Sequence, residues 1–378
     1  MNMYHPVIKE VEELFKGRKD TINWELVKML AIRVANSGEA DEMPSLDMQK
    51  QFEELVRASE IITSNFTNLQ FFQFASVEVF RKQDWIEANL KGFKALMEPL
   101  TQKVVEEYKK TKTTDPISQL LNKISPFIIT LEIGLVLGYM AKNVLGQYDL
   151  CLPYGEKGKI YFVAPNLLKL EKMLKLPSQD FRFWIALHEV THALEFNSNN
   201  WIVDYYKSLL KEFIESATLN LESAAEKIQK MDVTNIAEAI NKLQSEDFLF
   251  SLVTPAQREI LYKVQALMTI LEGYSNFIMD KIGSRMISNF QGLKNRFENR
   301  RKIISPVEKI FRKIIGIELK LKQYEMGQKF ANYIHKKMNM TGLNLLYENE
   351  KNIPTIDEIK NPDKWIKRIL KEKQWEKQ

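Results

Sequence analysis

The stretch Phe181-Arg-Phe-Trp-Ile-Ala-Leu-His188-Glu189-Val-Thr-His192-Ala-Leu-Glu-Phe196 decides how this chain is read. It lacks Gly and Pro, carries Trp184, Leu187, Leu194 and Phe196, and runs into Asn197-Ser198-Asn199-Asn200, which predicts one helix with a polar stop. Residues four apart on a helix stand one above the other, so His188 and His192 offer two imidazoles to a single point. Glu189 is turned from them by roughly 100° about the axis. This is the H-E-x-x-H arrangement of metalloproteases. The two rings hold an ion of zinc type, and the glutamate takes a proton from the water that the ion activates.

Coincidence on an ordinary core helix is the competing explanation. It is weakened by the scarcity of histidine, since the chain has only His5, His188, His192 and His335. Two imidazoles and a carboxylate among apolar neighbours are also costly unless something satisfies them.

A catalytic zinc takes three protein ligands and leaves one position open. The longer H-E-x-x-H-x-x-G-x-x-H pattern fails, because Glu195 and Ser198 stand where Gly and His are required. A later carboxylate is therefore expected. Glu212 lies with Lys211 and Glu215 on the polar side of its amphipathic helix and reads as a surface charge. Glu272 sits mid-helix among Leu267, Met268, Leu271 and Phe277, where an ionised group needs a cation. That cation is either the metal or an arginine such as Arg300 or Arg301. Gly273 beside it is unfavourable in a helix interior by about 1 kcal/mol, which makes sense if another backbone passes closely. Asn276 and Asp280 continue the same face and are candidates to orient a ligand histidine.

The remaining sequence bounds the setting. At 378 residues, two domains or one large domain with a lobe are expected. A hydrophobic fraction of 45%, with only 14 Gly and 12 Pro, favours helices over an all-β design. A single cysteine, Cys151, rules out an intramolecular disulfide and a cysteine-based zinc site, and fits a reducing, cytoplasmic compartment. No leader is visible at the start of the chain. The net charge of +5 comes from dispersed Lys and Arg, not from a nucleic-acid patch. Ile124 to Ala141 is apolar enough to suggest a membrane span, but Pro126, Glu132, Gly134 and Gly138 interrupt it, so it reads as a fully buried helix.

Residues 1–110 read as a helical N-terminal domain, with helices running from Met48 into the Phe66–Phe80 region. The cluster Phe71, Phe72, Phe74 and Phe80 reads as core. Thr111-Lys-Thr-Thr-Asp-Pro116 is a linker candidate, and residues 111–378 form the second domain. There Gln147–Leu152 and Lys159–Val163, joined by Pro153–Gly158, predict a β-hairpin whose edge could hold an extended peptide. A long helix is expected from Ala256 to Ile282, with Gly283 as its cap.

Several of these stretches resemble one family. They are Val144–Leu150, Tyr161–Asn166, Phe181–His192, Leu271-Glu-Gly-Tyr274 with Met279-Asp280, Arg300-Arg301, Lys322–Phe330, and Pro354-Thr355 with Trp365. In that order they are similar to the type 2 zincin-like metallopeptidases, a group labelled hydrolases, one branch of which is associated with biosynthesis of the deazaflavin coenzyme. The resemblance implies a mainly α (α+β) fold, a helical N-terminal domain followed by a zincin-like domain. It also implies zinc held by His188, His192 and Glu272, with Glu189 as catalytic base. Asn200 departs from the pattern, in which Pro precedes the tryptophan.

A zinc peptidase is the function expected. A metal-dependent amidase acting on a small metabolite, and a non-catalytic helical module with a structural metal, are the rivals. The partner is a peptide or small amide substrate, and Tyr274, Tyr324 and Arg301 are candidates to stabilise an oxyanion.

Overall fold

The computed structural model describes residues 20–38, 40–71, 74–110, 116–149, 158–215, 255–300 and 317–375. Helices dominate these residues. In chain order they are α1 (Trp24–Ala35) and α2 (Leu46–Thr67), then α3 (Lys82–Lys110) and α4 (Pro116–Asn143) after strand β1 (Ser76–Phe80). Strands β2 (Gly146–Tyr148) and β3 (Lys159–Val163) lead into α5 (Ala164–Leu174), α6 (Ser178–Asn197) and α7 (Asn200–Glu215). The rest comprises α8 (Pro255–Met286), α9 (Phe290–Arg300), α10 (Ile317–Asn344), two 3-10 turns (Leu345–Tyr347 and Glu350–Asn352), α11 (Ile356–Lys360) and α12 (Pro362–Trp375).

Starts and stops follow local chemistry. The side chains of Asn23 and Ser45 cap α1 and α2 by accepting from Leu26 N and Met48 N. The α2 helix ends at Asn68, in the left-handed conformation that asparagine tolerates.

The chain was read as helical through Phe80, but it turns to strand at Ser76. Val77 and Val79 are buried there and alternate with more exposed neighbours, a period-two pattern too short to stand out beside the phenylalanines. The sheet order is β1-β3-β2. β1 pairs parallel with β3, in the register Ser76↔Lys159 to Phe80↔Val163. β2 pairs antiparallel with β3, Gly146 facing Phe162 and Tyr148 facing Ile160, as the hairpin reading expects. Residues 150–157, which contain its turn, lie outside the described residues.

β3 is buried along nearly its whole length and separates two cores. On one side, Ile22, Val27 and Ala31 of the first helical layer pack with Trp85, Ile133, Leu137, Tyr161 and Val163. On the other, Phe52 of α2 stacks on Phe162 at 4.0 Å, and the core continues through α6, α8 and α10 to Trp365. Both cores thus draw side chains from either side of residue 110.

The α4 helix is not fully buried: Ile133, Leu137 and Ala141 face the core, while Leu135 is exposed. No described helix is long and apolar enough to cross a membrane. Of the phenylalanine cluster, Phe71 and Phe80 pack against the two cores, whereas Phe74 is exposed beneath the Arg57 guanidinium. Phe72 lies outside the described residues.

Two features place α8. Gly283 does not end it; the helix continues to Met286, and Gly283 makes room for the Phe290 ring. Gly273 meets Gly327 of α10 backbone to backbone. A Cβ on Gly273 would fall 2.2 Å from the Gly327 carbonyl carbon, and one on Gly327 would fall 2.0 Å from the Thr269 carbonyl oxygen. The close passage expected from Gly273 is therefore present. Gly327→Ala is expected to destabilise the fold by roughly 1–3 kcal/mol or more, because backbone cannot move aside as a side-chain tip can. Denaturant unfolding measures this; an unchanged midpoint would show that the crossing has slack.

Candidate metal centre

The α6 helix is apolar on almost every side. Phe181, Trp184, Leu187, Val190 and Leu194 are buried, and Phe290 and Phe297 meet the Trp184 ring edge-on. Such a helix is held rigidly, and His188 and His192 lie on its one partly open strip, with side chains 21% and 14% exposed. Their rings stand 4.7 Å apart, nearly perpendicular.

The α8 helix brings Glu272 to them. Its Oε2 lies 3.6 Å from His188 Nε2 and 3.8 Å from His192 Nε2. The three donor atoms lie within 4.8 Å of one another. Tetrahedral zinc with bonds of about 2.0–2.1 Å needs its ligands roughly 3.3–3.5 Å apart, so the set fits with a slight closing. Two imidazole nitrogens and one carboxylate are the donor set of an open zinc site. Among the described residues no fourth His, Cys, Asp or Glu joins them.

The electrostatics express the same convergence. Burial alone would raise the Glu272 carboxyl, but the two imidazoles outweigh it and hold it well below the usual carboxylate range. Burial disfavours a charged His192, yet Glu195 and Glu272 together hold it well above the usual histidine range. Burial pushes the Glu189 carboxyl up, against the pull of both histidines.

Glu189 is 6% exposed and seated against the sheet edge. The Tyr148 backbone N–H donates to its Oε2 at 3.0 Å. At Gly146 a Cβ would come within 2.7 Å of Glu189 Cγ, so only glycine lets the strand lie this close. β2 is held from the other side by α3: Trp85 Nε1 donates to Gln147 Oε1 at 2.6 Å, and Gln147 Nε2 donates to Asn89 Oδ1 at 2.8 Å. The strand edge that might have paired with a peptide thus gives one of its N–H groups to Glu189.

A cavity of about 200 Å³ opens onto this group. Beyond the metal-site residues and β2, its walls are Phe196, Tyr206, Met268 and Leu271.

Other expectations are met or corrected. Glu212 is exposed on α7, as a surface charge should be. No hydrogen bond joins Asn276 or Asp280 to a histidine among the described residues: Asp280 is engaged by Lys294 and by Gln328 Nε2, and the same glutamine donates to the Asn276 backbone carbonyl. The turn after Glu272 brings Ser275, rather than Asn276, beside an imidazole. The residues beside His192 Nδ1 are instead Glu195, at 2.9 Å, and Ser275, at 3.0 Å. Glu195 stands three residues after His192, a spacing that faces it, so the signal was in the sequence.

Tyr274 is wholly buried against Tyr347 and does not line the cavity. The side chain of Tyr324, and Arg301, lie outside the described residues. Tyr206, which sequence reasoning passed over, is among the residues that line the cavity.

Residues 22–366 match the zincin-like metallopeptidase family, and the chain belongs to that family. It is similar to the crystal structure of a "putative hydrolase with a novel fold" from Chloroflexus aurantiacus, with 28% identity and a TM-score of 0.68. That likeness covers 92% of this chain and 98% of the other. No curated protein matches it. Family and donor set together support a metal-dependent hydrolase.

Gly146→Ala is expected to displace Glu189 while leaving the histidines in place. Turnover should fall by about 10-fold or more with bound zinc unchanged by elemental analysis. Unaltered turnover would show that the carboxylate has room to spare.

Proposed function

We propose that this protein is a zinc-dependent hydrolase of amide bonds, acting as a peptidase. The observation that carries the reading is an open three-donor set, His188, His192 and Glu272, beside a buried carboxylate in one cavity. A purely structural zinc is closed by four protein ligands, and the donor set among the described residues offers three. Zinc held by His188, His192 and Glu272 would supply a Lewis acid able to polarise a scissile carbonyl and to lower the pKa of a water to about 7.

The chain's own residues do the rest. Glu189 acts as base toward the attacking water and then returns that proton to the leaving amine. Its burial, which raises its pKa above the ordinary carboxylate value, suits a group that must both accept and release a proton. Tyr148 N–H fixes Oε2 and thereby aims the carboxylate. Phe196, Met268 and Leu271 exclude water and offer an apolar wall to one substrate side chain.

The size of the cavity and the Tyr148–Glu189 bond also favour a second reading, an amidase for short or small amides. A long peptide laid along β2 would have to compete for an N–H already in use.

Elemental analysis and a peptide and acyl-amide library test the proposal. About one zinc per chain is expected, lost in His192→Ala and Glu272→Ala and kept in Glu212→Ala. Glu189→Gln should keep zinc and lose about 10²–10⁴-fold in rate. Folded wild-type protein that takes up no zinc would overturn the reading. Zinc without hydrolysis of any library member, in protein whose fourth position proves closed, would favour a structural metal.

A further inference from the structure

Glu195 is a carboxylate with no solvent exposure, and it does not line the cavity. An isolated charge so placed is heavily penalised, and its surroundings show what offsets this. Its Oε2 lies 2.9 Å from His192 Nδ1 and accepts from Ser275 Oγ at 3.1 Å. Its Oε1 accepts from the Tyr347 phenol. Ser275 follows Glu272 by one turn of α8, and Tyr347 belongs to the 3-10 turn after α10. The Tyr347 ring is itself fixed, stacking edge-on against Tyr274 at 5.0 Å, while its carbonyl accepts from Trp201 Nε1 at 2.8 Å. His188 has no such support: its buried Nδ1 lacks a hydrogen-bond partner among the described residues.

We infer that Glu195, clamped by Ser275 and Tyr347, is a positioning residue that fixes His192 for the metal, and that the C-terminal part of the chain thereby sets metal affinity. The inference rests on the zinc reading above. His192 Nδ1–H donates to Glu195, which fixes the tautomer and leaves Nε2 facing Glu272 and the ion. The two imidazoles are consequently unequal: His192 is anchored from behind, and among the described residues no hydrogen bond supports His188 Nδ1.

The test is zinc affinity of the full chain by competition with a chromogenic chelator, with the melting temperature of each zinc-free variant measured alongside. Glu195→Ala should weaken zinc binding by about 10–100-fold. Glu195→Gln, which keeps an acceptor for Nδ1–H, should recover most of that loss. Tyr347→Phe keeps the stacked ring and removes only the phenol oxygen, and should weaken binding several-fold with little change in the zinc-free melting temperature. If Glu195→Ala does not fold, the glutamine and phenylalanine variants still decide.

Wild-type affinity in all variants would overturn the inference while leaving the zinc site standing. So would equal losses in Glu195→Gln and Glu195→Ala that merely track the zinc-free melting temperature. Failure of the wild type to bind zinc would instead overturn the site reading, and this inference with it.

Discussion

Two imidazoles and three carboxylates gather where α6 meets α8 and β2, against a largely apolar core. Charge in such a place persists only when each group has a partner, and the surrounding architecture is an answer to that demand. Glu272 answers to both histidines, Glu189 to a strand N–H, and Glu195 to a ring, a serine and a tyrosine. The partners come from β2, α6, α8 and the turn after α10. The site is therefore a junction of the fold and not a decoration on one helix.

Backbone proximity makes that junction possible. The Gly273–Gly327 contact brings α8 and α10 together one residue from Glu272, so the carboxylate is delivered by main-chain packing rather than by a long, mobile side chain. Gly146 does the same on the opposite side, allowing β2 to press against Glu189. Trp85 and Asn89 of α3 grip Gln147 and tie the strand to the first helical layer. The helices that carry no donor atom thus determine where the donor atoms are.

The sequence made some of this readable. H-E-x-x-H fixed the spacing of two imidazoles because helical period alone sets it. Glu272 and Gly273 stood out because a charge and a glycine are both out of place in a buried helix. What stayed hidden depends on pairing across distance. The β1 strand was masked by the phenylalanines around it, and its partner lies some 80 residues further on. Asn276 and Asp280 looked like orienting groups because they continue the Glu272 face, but Asp280 is taken up by Lys294 and Gln328, and Ser275 is the α8 residue beside His192. Glu195 was read only as a departure from a longer histidine motif, and its place behind His192 was missed although the three-residue spacing allows it. Nothing in the sequence near Tyr347 points to a residue 152 positions earlier.

That last separation bears on how the protein is made. During synthesis the metal helix is complete long before Tyr347 leaves the ribosome, and β1 waits for β3 before it has any partner strand. Non-local closures of this kind are slow, since the entropy of the intervening chain must be lost before the contact rewards it. A nascent chain therefore carries the histidine pair in unfinished form while the stretch from His192 to Tyr347 is made. The carboxylate behind His192 can be clamped only after Tyr347 has been made, so the support of the metal centre closes later than the helix that carries its imidazoles.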